Sequence, residues 1–374
     1  MKHYMPVSVF SGSGSVEQNA GWFRKFGSRC ALITGKSSAL KSGALADVSA
    51  VLNQSGILFC AFDGIEQNPS VKSCMTAGRT ADAFGADFIV GIGGGSALDA
   101  AKAAAVFAAN PDLDEDGFYQ KRWENAPQPI LLVGTTAGTG SEVTKVSVLT
   151  DSRGRKHSIH DDRLFAAAAF GDPKYTASLP LPVTLSTGID VLSHCAESYL
   201  NRNADEISRA FAVRGIRLLY GPLREAAEGG TIGPKQRQAL YDASILGGLA
   251  ICGTGTCFPH NVGYYLTESR GVPHGFASAR FLPALLDLVR EKMPDYAEGF
   301  FRETGIPYGE LLDFIRRCLP KNEIAMTGEE IDSVLPRWEN NNSVRNTCCD
   351  VSTEEIRKIL EQQFLKTGKE QSSW

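Results

Sequence analysis

The apolar run Phe88-Ile89-Val90-Gly91-Ile92 leads straight into Gly93-Gly94-Gly95-Ser96 and then into Ala97-Leu98-Asp99-Ala100-Ala101-Lys102-Ala103-Ala104-Ala105-Val106. A strand with no polar face must be covered on both sides, as happens inside a parallel sheet wrapped by helices. The alanine-rich run that follows has high helix propensity and stops at Asn110-Pro111. Upstream the same grammar repeats: a strand at Cys30–Thr34, a helix over Leu45–Gln54, a strand at Ile57–Phe62 and a helix over Val71–Phe84. Glycines between strand and helix let the backbone approach a pyrophosphate, and the free amides at the helix start face its charge. The run is not G-x-G-x-x-G and follows the third strand, so a standard Rossmann arrangement is not expected.

The next strand, Pro129–Val133, ends in Gly134-Thr135-Thr136-Ala137-Gly138-Thr139-Gly140-Ser141-Glu142-Val143-Thr144. So many hydroxyls and glycines after a strand predict a second ligand loop, although a capped polar turn would read the same way. From Val146 to Gly171 the pattern becomes short alternating segments, with His157 and His160 as ordinary surface residues. Leu179-Pro180-Leu181-Pro182 marks a boundary, because beyond it the strand pattern disappears. Helices are predicted over Val183–Leu200, Ala204–Ala227, Lys235–Ile251, Phe276–Arg290, Tyr308–Cys318 and Thr353–Phe364. The expected organisation is an α/β domain over residues 1–180 and an all-helical domain over 181–374, with a frayed polar tail from Thr367 to Trp374.

Within the helical half, Asp190 and His194 stand four residues apart, on one helix face. Alone, such a pair is an ordinary helix contact. Further on, Pro259-His260 and Pro273-His274-Gly275 add two imidazoles around a short helix and turn. Three histidines and one aspartate suit Zn2+ or Fe2+ and do not suit Ca2+ or Mg2+.

Composition narrows the partners. Of 374 residues 21% are charged, the net charge is only -4, and no long block of like charge occurs, so neither nucleic acid nor an acidic membrane is an expected partner. A small molecule is. Nine cysteines, an odd number without a C-x-x-C pair, argue against a disulfide framework and against a thiolate zinc site. Adjacent Cys348-Cys349 are expected as reduced thiols in a loop or helix start. The segment Met1–Phe10 lacks the apolar run of a signal peptide, and the expectation is a cytoplasmic protein.

Taken together, Gly93-Gly94-Gly95-Ser96 with Asp99 and Lys102, the loop Gly134–Thr144, Asp190-x3-His194, and His260 thirteen residues short of Pro273-His274-Gly275 resemble the iron-containing, or group III, alcohol dehydrogenases. The resemblance, of the butanol or 1,3-propanediol dehydrogenase type, runs from about Ala31 to about Ala279. It implies an α/β N-terminal dinucleotide-binding domain plus an all-α C-terminal domain, the dehydroquinate synthase-like fold. The metal and nicotinamide would lie in the cleft between the two. By the same resemblance Asp190, His194, His260 and His274 are metal ligands, and Gly94, Gly95, Ser96, Asp99, Thr135, Thr136 and Thr139 line the nucleotide. Lys156 is a weaker match, near the cofactor. The implied reaction is hydride transfer between NAD(P)(H) and a small primary alcohol or diol and its aldehyde, in a homodimer or larger oligomer. Alternatives are a sugar-phosphate cyclase and a non-catalytic nucleotide-binding subunit.

Two departures from the family pattern carry their own expectations. Many members place a second histidine four residues after the third ligand, where this chain has Tyr264, a candidate for a proton or positioning role. Members that prefer NAD often carry an acid just after the first strand to hold the ribose hydroxyls. Here Gly35 takes that place, followed by Lys36 and Ser37, so a 2'-phosphate is accepted and NADP(H) is expected over NAD(H).

Overall fold

A computed structural model describes residues 3–321 and 324–365, and the predicted fray at Thr367–Trp374 lies outside them. Six strands form one parallel sheet: β1 (Ser8–Ser11), β2 (Arg29–Gly35), β3 (Leu58–Ile65), β4 (Phe88–Gly93), β5 (Ile130–Gly134) and, after a two-stranded hairpin of β6 (Val146–Thr150) and β7 (Lys156–His160), β8 (Ala168–Gly171). Their spatial order is β1-β8-β5-β4-β2-β3. Every pairing within it is parallel.

Period-two alternation supplies both cores. On β2, Cys30 and Leu32 face a core that includes Val48 and Leu52 of the Ala44–Gln54 helix. Ala31 and Ile33 face the opposite core, with Ala77 of the Val71–Phe84 helix and the buried alanines of the Gly95–Ala109 helix. From β3 the chain crosses back over β2 to lay down β4, so the strand order reverses between β2 and β4. Crevices of this kind, outside the carboxyl ends of the strands, are where α/β sheets bind ligands. Here Gly35 ends one flanking strand and Gly93 the other.

Past Leu181 the described chain is helical and packs around a third core. Its axis is the Leu181–Tyr199 helix, buried on almost every face from Gly188 to Tyr199. A helix buried all round belongs at the centre of a bundle. It packs on the Glu206–Ala227 and Pro234–Thr254 helices and on the short His274–Ala279 helix. The predicted Phe276–Arg290 helix is two helices, His274–Ala279 and Leu282–Lys292, because Pro283 in the first turn of the second cannot continue the first. Strand β1 and the Pro294–Thr304 helix are further elements that the sequence reading did not anticipate.

The two halves are pinned together in the interior. Tyr241, on the Pro234–Thr254 helix, donates a 2.7 Å hydrogen bond to Glu142 Oε1 with both groups buried. Its ring lies over Gly134 and Gly171, where any Cβ would collide with it.

Candidate active site

The cradle is built from two loops that need each other. A Cβ on Gly94 would sit 3.0 Å from Thr136 Cγ2, and one on Gly95 would sit 2.6 Å from Thr139 Cγ2. The glycines are therefore required first for packing the loop after β5 against the start of the Gly95–Ala109 helix. Thr135 N donates to Gly93 O at 2.9 Å, joining the loops at the sheet edge. The Thr135 hydroxyl is buried with no protein partner. An orphaned donor beside three glycines and a helix N-terminus is what a polar ligand would satisfy. Ser96 Oγ accepts from Asn68 N at 3.3 Å.

Asp99 sits one layer deeper. Its carboxylate accepts from Ser141 Oγ at 2.5 Å and from Val148 N at 3.0 Å, so the structure occupies it with protein donors. Lys102, fully buried, lies 3.6 Å from Asp99 and donates to Ser141 O, Ser141 Oγ and Val146 O at 2.7–2.8 Å. This buried pair holds the second loop and the β6–β7 hairpin in place.

Facing the cradle, three segments bring the ligating side chains together. Asp190 comes from the bundle axis, His260 from the first turn of the Phe258–Arg270 helix and His274 from the start of the next. Their ligating atoms all lie within 4.8 Å of one another. His260 Nε2 is 3.5 Å and His274 Nε2 3.7 Å from Asp190 Oδ1. His194 stands at the side of this trio, its Nε2 4.0 Å from Asp190 Oδ2 and its ring stacked on His260 at 4.7 Å. Asp190 Oδ1 and His260 Nε2 are buried and have no hydrogen-bond partner. Buried polar atoms left unpaired in this way cost about 1–3 kcal/mol each, and a divalent cation among them would satisfy both. The donor set fits a transition-metal ion.

Close packing makes the convergence possible at Gly275. A Cβ there would fall on the Ser186 carbonyl oxygen and lie 2.8 Å from Asp190 Cβ. Only glycine lets the His274 helix approach the Asp190 helix that closely.

The sequence reading did not pick out Glu197. Fully buried, it takes His260 Nδ1 at 2.5 Å and Cys257 N at 2.7 Å. The arrangement fixes the His260 tautomer so that Nε2 points into the cluster. One signal was available: Asp190, His194 and Glu197 share one helix face, and an acid on a buried stripe needs a partner.

The electrostatics follow from this layout. Burial pushes His194 down to about 4 and His274 down to about 3, which leaves both imidazoles neutral at physiological pH. Burial also opposes charge on His260, but Glu197 and Asp190 on its two sides overcome it and raise the ring to about 10. At neutral pH His260 therefore carries a proton that a cation must displace, since metal ligation requires the neutral ring. Apparent affinity for Zn2+ should then rise about tenfold per pH unit from about pH 6 to pH 9, by release of one proton. Competition titration with a chromophoric chelator at several pH values checks this, and a flat profile would contradict it.

Tyr264 stacks on His274 with ring centroids 5.3 Å apart and planes 15° apart. Burial, then the charge on Asp190, raises its hydroxyl, so it stays a phenol. Lys156, at the start of β7, brings Nζ to 5.3 Å from the Tyr264 ring, and its backbone N–H donates to Glu268 Oε1 at 3.1 Å. Burial lowers this lysine, while Asp190 and Glu268 raise it. Lys36 and Ser37 are exposed just beyond Gly35. His157 and His160 are exposed as expected, His157 stacking on Tyr119 at 4.1 Å.

Comparison with known proteins gives this geometry its relatives. The family model for iron-containing alcohol dehydrogenase matches residues 6–173, and that for the C-terminal part of the Fe-containing alcohol dehydrogenase family matches residues 184–305. Long-chain-alcohol dehydrogenase 1 of Geobacillus thermodenitrificans is 32% identical over 297 residues, covering 79% of this chain and 75% of that protein. Among solved structures, an iron-containing alcohol dehydrogenase from Thermotoga maritima superposes with a TM-score of 0.90 at 34% identity, over 97% of this chain and 99% of that one. A sulfoacetaldehyde reductase from Bifidobacterium kashiwanohense in complex with NAD+ superposes with a TM-score of 0.85 at 25% identity, over 97% and 98%. With family models matched across residues 6–173 and 184–305 and a relative 32% identical over 79% of the chain, the chain belongs to the iron-containing alcohol dehydrogenase family.

Proposed function

We propose that this alcohol dehydrogenase transfers hydride between NADP(H) and small primary alcohols or diols and their aldehydes, with Fe2+ or Zn2+ held by Asp190, His194, His260 and His274. The observation that carries the reading is the convergence of the unpartnered Asp190 Oδ1 and His260 Nε2 opposite the two-loop cradle. Such a cation supplies Lewis acidity to the substrate oxygen, and the nicotinamide carries the hydride. Family membership favours this oxidoreductase over a sugar-phosphate cyclase or a non-catalytic subunit.

The chain's own residues then have distinct tasks. Gly94, Gly95 and Ser96 would hold the pyrophosphate at the helix start, and Thr135, Thr136 and Thr139 of the neighbouring loop would offer it hydroxyls and amides. Asp99 works at one remove, by holding Ser141 and the hairpin. Tyr264 keeps its proton and orients His274 by stacking, with the Lys156 ammonium beside its ring, where it would offer a cation to a bound cofactor. A homodimer or larger assembly and a cytoplasmic location belong to the same proposal. Among the described residues no helix is long and apolar enough to cross a membrane.

Cofactor choice rests on the end of β2. Gly35 offers no carboxylate to repel a 2'-phosphate, and Lys36 offers a cation. Initial rates with both cofactors should give NADPH a kcat/KM about tenfold or more above that for NADH, and Lys36→Glu should invert the order. A better kcat/KM with NADH in the unmodified protein would end this part of the proposal.

A further inference from the structure

The loop over residues 134–144 is gripped by both halves of the molecule, and the grip alternates along it. From the α/β half, Gly95 packs against Thr139, and the Lys102 ammonium donates to the carbonyl and hydroxyl oxygens of Ser141. From the bundle, the grip falls on the residues between. A Cβ on Gly138 would lie 2.6 Å from Thr187 Cβ, on the helix that carries Asp190, and a Cβ on Gly248 would lie 2.6 Å from the Gly140 carbonyl oxygen. Next in this series is Glu142, whose Oε1 accepts the Tyr241 hydroxyl at 2.7 Å.

Burial sets this bond apart from its neighbours on the same helix. Gln238 Nε2 donates to Ser11 Oγ at 2.9 Å and Ser11 Oγ to Asp242 Oδ1 at 2.6 Å, but both contacts are exposed, where water replaces a lost partner at little cost. Tyr241 and Glu142 are out of its reach. A buried acid that loses its donor keeps the desolvation cost until something moves to relieve it. Glu142 rides on the short Ser141–Val143 turn, so such a movement would carry the loop that bears Thr135, Thr136 and Thr139.

We propose that Tyr241 is a positioning residue for the cofactor: from the helical half, its hydroxyl acts through Glu142 to hold the 134–144 loop in the shape that receives the nucleotide. The inference rests on the reading of that loop as part of the dinucleotide site. Its ring, packed over Gly134 and Gly171, stays in place when the oxygen alone is removed, so phenylalanine isolates the hydrogen bond from the packing.

The test titrates full-length protein with NADPH and NADH by fluorescence quenching, and measures Zn2+ affinity and backbone hydrogen exchange beside it. Tyr241→Phe should bind the preferred dinucleotide about tenfold more weakly while its Zn2+ affinity stays within about twofold, and without cofactor the peptides over residues 134–144 should exchange faster. Glu142→Gln still offers the hydroxyl an oxygen acceptor, so its dinucleotide affinity should stay within about threefold of the unmodified protein. Three results would each overturn the proposal: unchanged dinucleotide affinity in Tyr241→Phe, unchanged exchange of the loop, or an equal loss of dinucleotide and Zn2+ affinity, which general destabilisation gives. An unmodified protein that binds neither NADPH nor NADH would instead overturn the reading of the loop as a dinucleotide site, and this inference with it. None of these readouts requires turnover of an alcohol.

Discussion

Replacing Asp190 with alanine should abolish stoichiometric metal binding and lower kcat/KM for aldehyde reduction by roughly 10³-fold or more, the worth of several kcal/mol of charge stabilisation. Asp190 is the only one of the four proposed ligands whose oxygens approach every imidazole in the cluster, at 3.5 to 4.0 Å. Without it the three rings would lose the carboxylate that lies between them, Glu197 reaching only the far side of the His260 ring. The cradle lies in the other half of the chain and has its own core, so nucleotide binding by the mutant should be retained. Metal content by elemental analysis, and cofactor binding by quenching of protein fluorescence, separate the two effects. Full turnover by a metal-free Asp190→Ala protein would remove the Lewis-acid role.

A methyl group at Gly275 should be almost as damaging, although it adds no charge and touches no substrate. The added carbon would meet the Ser186 carbonyl and the Asp190 side chain, so the His274 helix must move away from the bundle axis. Overpacking of this kind costs about 1–3 kcal/mol of stability. The larger effect is geometric, because displacement of one ligand by about 1 Å can cost about a hundredfold in rate. We expect Gly275→Ala to fold, to bind metal more weakly and to lose about two orders of magnitude in kcat. Denaturant unfolding measured beside kinetics distinguishes the terms. Unchanged kcat at saturating metal would show that helix approach does not set the position of His274.

Much of this arrangement is legible in the sequence because it is local. Phe88–Ile92 and Ile130–Val133 are too apolar for any but a doubly covered strand, and Val71–Phe84, Tyr308–Cys318 and Thr353–Phe364 are the helices that spacing predicts, residue for residue. Illegible parts depend on tertiary contacts. Strand β1 has only four residues, and Phe10 gains its place by stacking on Phe170 of β8 at 5.4 Å. Nothing near Ser8–Ser11 announces that partner. In the site, Asp190 and the three histidines could be assembled from spacing and from the family resemblance. The role of Glu197 needed His260, far along the chain, to be folded onto it. Asp99 shows the converse case: a motif position whose side chain the fold turns toward Ser141 and Val148.

The most direct measurement is anaerobic oxidation of NADPH, with NADH in parallel, against short aldehydes after the metal-stripped protein is reconstituted with Fe2+ or Zn2+. Turnover that appears only with metal, saturates at one ion per chain and is faster with NADPH is the predicted result. Silence with every aldehyde despite bound metal and nucleotide, or equal turnover with and without metal, would contradict the assignment of the Asp190–His260–His274 cluster as the reacting centre.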